Sequence, residues 1–404
     1  MGPATAGSAA SASLAAAVFS APIAAARAAQ VDVVAGLVAS EGVVRVMGVG
    51  NGAPTWSADA LRDVSWAPDA ELRLQATPTG LALVWRGPHA GKTARTMVLL
   101  GPRGEPLGGS EIGSAFCVTA DGLAWIDPRA SGPARVLARR WSDPAPHEVA
   151  SVSPDRDPAL VCGDHVAVVV GDGDDDVTAA AFMPGDSAAP APTVVVRDAD
   201  FGDDDEREHD AYSVGDDLGL VRVASSGALA MRELSRTGGA TAWRKLKHTL
   251  AADDDVVAVD GDADSTLVVF TRDADDACPG IGSTAVSVRA LRIDRKSGVE
   301  SLLDLAPADC ERSPGPFWIA PSPAGPTIAW VERTTKLPPK AAAIAGAAFR
   351  LVGADGVRAG RIDQRADALV DGGCDARGCS VAALLRPPDG DGMQPEPIGV
   401  FTYP

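Results

Sequence analysis

Acidic side chains come in four short runs along the middle of the chain, and their type and spacing suit a metal ion. The runs span residues 172–176, 203–206, 253–255 and 273–276. Ca²⁺ takes six to eight oxygen ligands, and carboxylates at alternating positions of a loop can supply several of them. Ca²⁺ is therefore the candidate cofactor. Its candidate ligands are Asp172, Asp174, Asp176, Asp203, Asp205, Asp253, Asp255, Asp273 and Asp275.

These runs depart from the EF-hand calcium loop. The run at residues 172–176 lacks the loop glycine and the distal glutamate of that motif, and residues 260–264 share the defect. The alternative interpretation is that the acidic runs are solvated loops that keep the protein soluble. Both interpretations stay open at the level of sequence.

No catalytic signature stands out in the sequence. The five histidines show no metal-ligand spacing, and neither a G-x-S-x-G turn nor an H-E-x-x-H pair occurs. Gly91, Lys92 and Thr93 match the end of a phosphate-binding loop, but Arg86 stands where that motif has its first glycine. The sequence gives no candidate catalytic residues and favours a binding protein over an enzyme.

The elements that must position the acidic runs are short apolar strand signals, which recur seven times. They cover residues 80–86, 122–127, 164–170, 217–223, 265–271, 326–332 and 379–385, so that their first residues lie 42 to 61 residues apart. A repeat of roughly 40 to 60 residues that carries only strand signals is typical of a β-propeller, with one four-stranded blade per repeat. The pattern therefore predicts an all-β fold.

Within a repeat, glycine-containing turns mark hairpins between the third and fourth strands. Such turns lie at residues 101–104, 297–298 and 355–356. Before the first repeat stands a strand signal at residues 43–47, and the last repeat runs out after its third strand at residues 397–403. Pairing of this N-terminal strand with the C-terminal blade would complete the last blade and remove two exposed sheet edges.

The chain thus resembles a seven-bladed β-propeller that is closed by pairing of an N-terminal strand with the C-terminal blade. The resemblance covers residues 43–404 and is to an architecture, because no Trp-Asp, kelch or quinoprotein signature is evident. It implies that the four acidic runs share one face of the propeller. A pair of β-sandwiches or a six-bladed ring is the alternative.

Six cysteines fall into three pairs on this blade map. The pairs are Cys117 with Cys162, Cys278 with Cys310, and Cys374 with Cys379. The first pair ends the inner strands of two neighbouring blades, the second lies in two connections on one face, and the third brackets one turn. An even number of cysteines in an exported chain predicts three disulfides. Buried free thiols are the alternative.

The first 30 residues differ from the rest, because they are rich in Ala and Ser and carry one charged side chain, Arg27. Residues 14–26 resemble the apolar region of a signal peptide, and Ala26, Arg27 and Ala28 form an A-x-A cleavage site. No basic residue precedes the apolar region, and a disordered Ala-rich segment is the alternative. We therefore predict a signal-like or disordered segment at residues 1–30, a propeller domain at residues 31–404, and a periplasmic or extracellular location.

The charge balance limits the partners. Asp and Glu exceed Lys and Arg by 54 to 36, which gives a net charge of −18. Such a surface repels nucleic acid. No apolar stretch after the N-terminal segment is long enough to form a membrane-spanning helix. We predict a monomeric, exported binding or scaffold module with an acidic loop face and an unidentified protein or polymer ligand. The alternative is a propeller hydrolase or lyase that acts on an extracellular polymer.

Overall fold

The computed structural model describes most of the chain between residues 11 and 403. The described residues are 11–28, 31–50, 53–67, 69–77, 80–112, 115–127, 132–162, 165–172, 176–197, 206–214, 217–235, 239–261, 264–278, 284–320, 326–334, 344–353, 356–366, 370–375, 378–384 and 396–403. In these residues the chain forms 31 β-strands and no helix. The all-β prediction is confirmed.

The strands follow one another along the chain in sets of four, and the last set has three. The sets are β1 (Ser11–Ala28), β2 (Val31–Val38), β3 (Val43–Gly50), β4 (Ala53–Arg62); β5 (Glu71–Thr77), β6 (Gly80–His89), β7 (Lys92–Leu100), β8 (Pro106–Glu111); β9 (Phe116–Val118), β10 (Gly122–Asp127), β11 (Ala134–Arg140), β12 (His147–Val152); β13 (Asp157–Cys162), β14 (Ala167–Asp172), β15 (Asp176–Phe182), β16 (Thr193–Arg197); β17 (Glu206–Val214), β18 (Asp217–Ala224), β19 (Ala228–Leu234), β20 (Arg244–Thr249); β21 (Asp254–Gly261), β22 (Ser265–Ala277), β23 (Thr284–Asp294), β24 (Glu300–Asp309); β25 (Arg312–Ala320), β26 (Thr327–Thr334), β27 (Ile344–Gly353), β28 (Gly356–Ala366); and β29 (Val370–Asp375), β30 (Gly378–Leu384), β31 (Glu396–Tyr403).

Each of the six middle sets forms its own four-stranded antiparallel sheet, with the strands in chain order. The seven predicted apolar strands are confirmed as β6, β10, β14, β18, β22, β26 and β30, and each is the second strand of its set. A second strand has a neighbour on either side, and in β6 the five residues from Leu81 to Trp85 are all buried. Burial of both faces explains why these strands are continuous apolar runs without alternation.

The remaining strands form one seven-stranded sheet, in the order β29-β30-β31-β1-β2-β3-β4. The first half of β1, from Ser11 to Phe19, pairs with β31, and the second half, from Ser20 to Ala28, pairs with β2. The prediction that residues 43–47 pair with the C-terminal strand is wrong, because β3 lies between β2 and β4. The predicted count of seven four-stranded blades is not confirmed, since this sheet has seven strands.

The chain divides into two compact units, each with apolar cores of its own. The first unit comprises residues 1–111, 271–289 and 304–404, and the second comprises residues 112–270 and 290–303. A core of the first unit joins Ala24 of β1, Leu37 of β2 and Trp85 of β6, all with no exposed surface. In the second unit, Val195 and Leu220 are equally buried in one core and Phe270 in another.

Two of the three predicted disulfides are confirmed. Cys117 and Cys162 are bonded in the second unit, with Cα atoms 5.6 Å apart, and Cys278 and Cys310 are bonded in the first, with Cα atoms 5.4 Å apart. The third predicted pair lies at opposite positions of the β29–β30 hairpin. The side chains of this pair lie outside the described part of the structure, and their bond stays a prediction.

Candidate functional site

The structure describes five of the nine aspartate side chains that the sequence predicts as calcium ligands. Asp172 ends β14 and is exposed, Asp253 and Asp255 are exposed at the start of β21, and Asp273 is exposed within β22. The run at residues 273–276 therefore belongs to a strand and not to a connection. Asp174, Asp203, Asp205 and the side chain of Asp275 lie outside the described residues.

Asp176, the ninth of these residues, already has a cationic partner. Its carboxylate accepts a hydrogen bond from Nη2 of Arg156, and its backbone carbonyl accepts one from Nη1 at 2.8 Å. The same Nη1 lies 3.2 Å from the carbonyl oxygen of Gly171. Arg156 thus joins the two strands of the β14–β15 hairpin, and a metal ion at Asp176 would compete with it.

Asp254, between two of the predicted ligands, is fully buried and has a structural role. Its Oδ2 accepts a hydrogen bond from the backbone N–H of Ala251 at 2.7 Å, and its own N–H donates to the Ala251 carbonyl at 3.1 Å. This residue closes the turn before β21. Among the described residues, no three His, Cys, Asp or Glu side chains are placed so that they could hold a metal ion.

A groove of about 420 Å³ lies beside the Arg156 bridge, in the second unit. Three stretches of chain line it: residues 149–153 with Arg156, three residues of the β14–β15 hairpin (Val169, Gly171 and Thr178), and residues 189–192 ahead of β16. The volume lies within the roughly 300–1,000 Å³ that is usual for ligand sites. The lining combines apolar side chains with the hydroxyls of Ser151, Ser153 and Thr178.

The backbone edge of β12 borders this groove. Four consecutive residues of β12, 149–152, line it, and successive side chains of a strand point to opposite faces, so the groove meets the edge of the strand. β12 is the outermost strand of its sheet. The carbonyl of Val149 accepts a hydrogen bond from the N–H of Ala189 at 2.7 Å. The next residue, Pro190, and then Pro192 have no N–H to continue this pairing.

Gly171 sets the shape of the groove at the hairpin. A Cβ atom at this position would lie 3.2 Å from Cδ of Arg156, 3.2 Å from Oγ1 of Thr178 and 3.3 Å from Cγ1 of Val152. These distances are tighter than ordinary van der Waals contacts. The absence of a side chain at residue 171 therefore allows Arg156 to cross the hairpin.

A second cavity, of about 80 Å³, lies in the first unit and is lined by charged groups. Nη1 of Arg312 lies 2.9 Å from Oε2 of Glu332. The guanidinium of Arg350 lies 4.8 Å from the ring centre of Trp330, and its Nε donates to the carbonyl of Leu305 at 2.7 Å. Arg312 and Glu332 pair with each other, Arg350 is held by a carbonyl and an aromatic ring, and the cavity is small, so this arrangement is part of the internal packing.

A further polar cluster in the second unit joins a buried pair, Tyr212 and Thr266, with a partly buried pair, Glu233 and Arg295. The hydroxyl of Tyr212 lies 3.0 Å from that of Thr266, and burial raises the pKa of Tyr212 to about 12. Glu233 accepts two hydrogen bonds from Arg295, at 2.9 and 2.8 Å, and this bonding raises the pKa of the arginine. Tyr212 is therefore neutral at physiological pH, and the cluster stabilises the core.

The groove and Arg156 were not predicted from the sequence. The segment that supplies one wall contains Pro190 and Pro192, which mark a stretch that cannot pair as a regular strand. This is a signal in the sequence, but it does not indicate which strand edge the segment lies against.

Comparisons with known proteins concern the fold alone. No protein-family profile and no curated protein matches the chain. A solved structure of prolyl endopeptidases is 15% identical, with a TM-score of 0.44 over 80% of this chain, and the chain spans only 54% of its length. The WD40 domain of SCAP from fission yeast is 10% identical, with a TM-score of 0.49 over 96% of this chain and 95% of that one. The β-propeller domain of the Trilobed protease from Pyrococcus furiosus, described as having an open velcro topology, is 9% identical, with a TM-score of 0.49 over 83% of this chain and 94% of that one.

The solved structures to which the chain is similar include β-propeller proteins, the architecture that the sequence predicts, and no specific family is identified. In the described part of the chain, no helix has the length and apolar character needed to cross a membrane.

Proposed function

We propose that this protein is an exported binding module whose groove beside β12 holds an extended segment of a partner polypeptide. The observation that carries this proposal is the groove of about 420 Å³ along the backbone edge of an outermost strand. An extended peptide adds to such an edge through main-chain hydrogen bonds, and pockets for its alternate side chains give specificity. A lining of valines, prolines and hydroxyls favours small apolar side chains in that segment.

Substitution of Ser151 by Trp is the direct test. Ser151 is exposed on β12 and lines the groove, and Trp is well tolerated in strands, so the variant should fold and fill the groove. A phage-displayed library of eight-residue peptides serves as the probe, and calorimetry gives the Kd of the peptides recovered on the wild type. We expect Ser151→Trp to weaken their binding at least tenfold.

The matched control is Ser142→Trp, the same substitution at an exposed serine of the same unit that does not line the groove. This control should bind the recovered peptides with the wild-type Kd. Equal binding by both tryptophan variants would place the peptide site elsewhere and overturn the groove assignment. If no peptide is recovered, the proposal that the ligand is a polypeptide is wrong.

We propose that the strand sets are propeller blades and that β1 belongs to two of them. The support is its pairing: one half of β1 lies against β31 and the other half against β2. With β1 shared in this way, the seven-stranded sheet comprises two sets of four, and the number of blades becomes eight. The β29–β31 blade would take its fourth strand from the N-terminal segment.

We propose a periplasmic or extracellular location and a monomeric state. Two disulfides support export, because such bonds form and persist in oxidising compartments. A net charge of −18 opposes self-association and repels nucleic acid. Residues 11–28 form the strand β1. We therefore propose the signal-like role of residues 1–30 separately from the location of the protein.

The calcium proposal rests on the acidic loops and is tested by thermal unfolding. If Asp172 and Asp174 bind Ca²⁺, millimolar Ca²⁺ raises the melting temperature by mass action, and Asp174→Asn abolishes the rise. Asp176→Asn should lower the melting temperature even without calcium, because Arg156 loses its carboxylate partner. An equal rise with NaCl at the same ionic strength would instead show simple screening of the acidic loops.

A further inference from the structure

The edge strand β20 carries a concentration of positive charge on an acidic protein. Its six residues include Arg244, Lys245, Lys247 and His248. Burial alternates along the strand, so that Lys245, Lys247 and Thr249 are exposed and the residues between them are half-buried. Among the described residues, neither lysine has an ion-pair partner. β20 is also the outermost strand of its sheet.

A bulge in β20 leaves two successive amides without strand partners. Ala228 of β19 lies opposite Thr249, and Ala230 lies opposite Lys245, so residues 246–248 face a single residue of β19. A bulge of this kind disrupts the ladder locally and leaves its extra residues unpaired. The N–H groups of Lys247 and His248 both donate to one carboxylate, that of Glu300.

The geometry around Glu300 is that of an anion nest. The N–H of Lys247 lies 2.8 Å from Oε1 and 3.0 Å from Oε2, and the N–H of His248 lies 2.8 Å from Oε2. Successive backbone N–H groups that converge on one point form an anion-binding concavity. Hydrogen bonds to a charged acceptor are about twice as strong as neutral ones.

A tight turn holds Glu300 in the nest. Oδ1 of Asp294 accepts hydrogen bonds from the N–H of Ser297 at 2.6 Å and from its hydroxyl at 2.7 Å. Gly298, at φ 69°, gives the turn the left-handed conformation that a glycine adopts readily. On either side of Glu300, the side chains of Val299 and Leu302 are 59% and 46% exposed. They are two of the four large apolar side chains that are exposed in the described part of the chain.

We propose that the amides of Lys247 and His248, together with the ammonium groups of Lys245 and Lys247, form a carboxylate-binding site for an acidic, extended partner polypeptide, and that Glu300 is its internal competitor. Lysines at alternate positions of an edge strand match carboxylates at alternate positions of an added strand. Val299 and Leu302 offer apolar contact beside them. The site does not depend on the groove at β12, and its test does not involve that groove.

An internal competitor makes a distinctive prediction: its removal strengthens binding. A ligand that must displace Glu300 binds with an affinity reduced by the fraction of molecules in which the nest is open. The probe is an eight-residue peptide that alternates Asp and Val, and calorimetry gives its Kd. We expect Glu300→Ala to bind this peptide at least tenfold more tightly than the wild type. The same peptide with Asn for Asp should bind neither protein.

A small carboxylate should also replace the missing side chain. Glu300→Ala lowers the melting temperature because two amides lose their acceptor, and acetate should restore part of that loss. Acetate should have no such effect on the wild type, in which the nest is filled, when chloride at equal ionic strength is the reference. Asp69→Ala, which removes an exposed carboxylate that belongs to neither proposed site, is the charge-matched control and should resemble the wild type.

Several outcomes would overturn the proposal. Equal peptide affinity in Glu300→Ala and the wild type would make Glu300 a purely structural cap. Equal effects of acetate on all variants would show that acetate does not act at the nest. If polygalacturonate binds Glu300→Ala as tightly as the peptide does, the ligand of the site is an acidic polysaccharide and not a polypeptide. Should Glu300→Ala fail to fold, Glu300→Gln keeps an acceptor oxygen, and its peptide affinity should lie above that of the wild type.

Discussion

A chain that begins at residue 29 is expected to lose its cooperative thermal unfolding transition or to aggregate, whereas one that begins at residue 11 should unfold like the full-length protein. The first deletion removes all of β1 and the second leaves β1 intact. Circular dichroism on heating and size-exclusion chromatography measure the two outcomes. The shorter deletion is the control for loss of residues 1–10.

The reason is the double role of β1. It pairs with β31 at seven positions and with β2 at seven. At about 1 kcal/mol for each net hydrogen bond, the loss is comparable with the total stability of about 5–15 kcal/mol that is usual for a folded protein. The deletion also removes Ile23, Ala24 and Ala26, which are buried. It exposes two new strand edges, and exposed edges promote aggregation.

The same experiment bears on the signal-like segment. Cleavage after Ala28 would produce the chain that begins at residue 29, without β1. We therefore expect the exported protein to retain β1, so that N-terminal sequencing does not begin at Ala29. An exported protein that begins at Ala29 and still melts cooperatively at the full-length temperature would show that β1 is dispensable.

The sequence predicted the second strand of seven sets because that strand is apolar throughout. β14, for example, is buried at five successive positions, 167–171. The first set of strands was not predicted, for a different reason. β1 is rich in Ala, which has low strand propensity, and its apolar stretch has the length and composition of a signal peptide. It is a strand only because it pairs with β31, which is distant in the chain, and with β2, which is adjacent. Local pattern carries no information about such pairing.

The candidate groove could not be predicted for a related reason. Its lining comes from three stretches whose proximity depends on how two sheets meet in the second unit. Arg156 stands between two aspartates in the sequence, at residues 155–157, which predicts a solvated turn. In the structure it instead crosses to Gly171 and Asp176. The acidic runs were visible in the sequence, but their partners were not.

Removal of a disulfide is the second change with a large expected effect on the free energy of unfolding. The length of the loop that the disulfide closes sets the size of that effect. A disulfide restricts the unfolded chain, and the chain-entropy estimate gives about 4 kcal/mol for a loop closed over 45 residues and about 4 kcal/mol over 32. Replacement of Cys117 and Cys162 by Ala, or of Cys278 and Cys310 by Ala, should therefore lower the free energy of unfolding by about 2–5 kcal/mol. Urea unfolding under non-reducing conditions measures the change.

The third cysteine pair provides the internal comparison. Cys374 and Cys379 close only a short hairpin loop, for which the same estimate gives about 2 kcal/mol, so Cys374→Ser with Cys379→Ser should cost the least of the three double substitutions. Thiol titration of the unfolded, unreduced protein should find no reactive thiol if all three bonds form. Two reactive thiols would contradict the third bond alone. Six would contradict all three and remove the support that the disulfides give to export, because a chain folded in a reducing compartment keeps its cysteines as thiols.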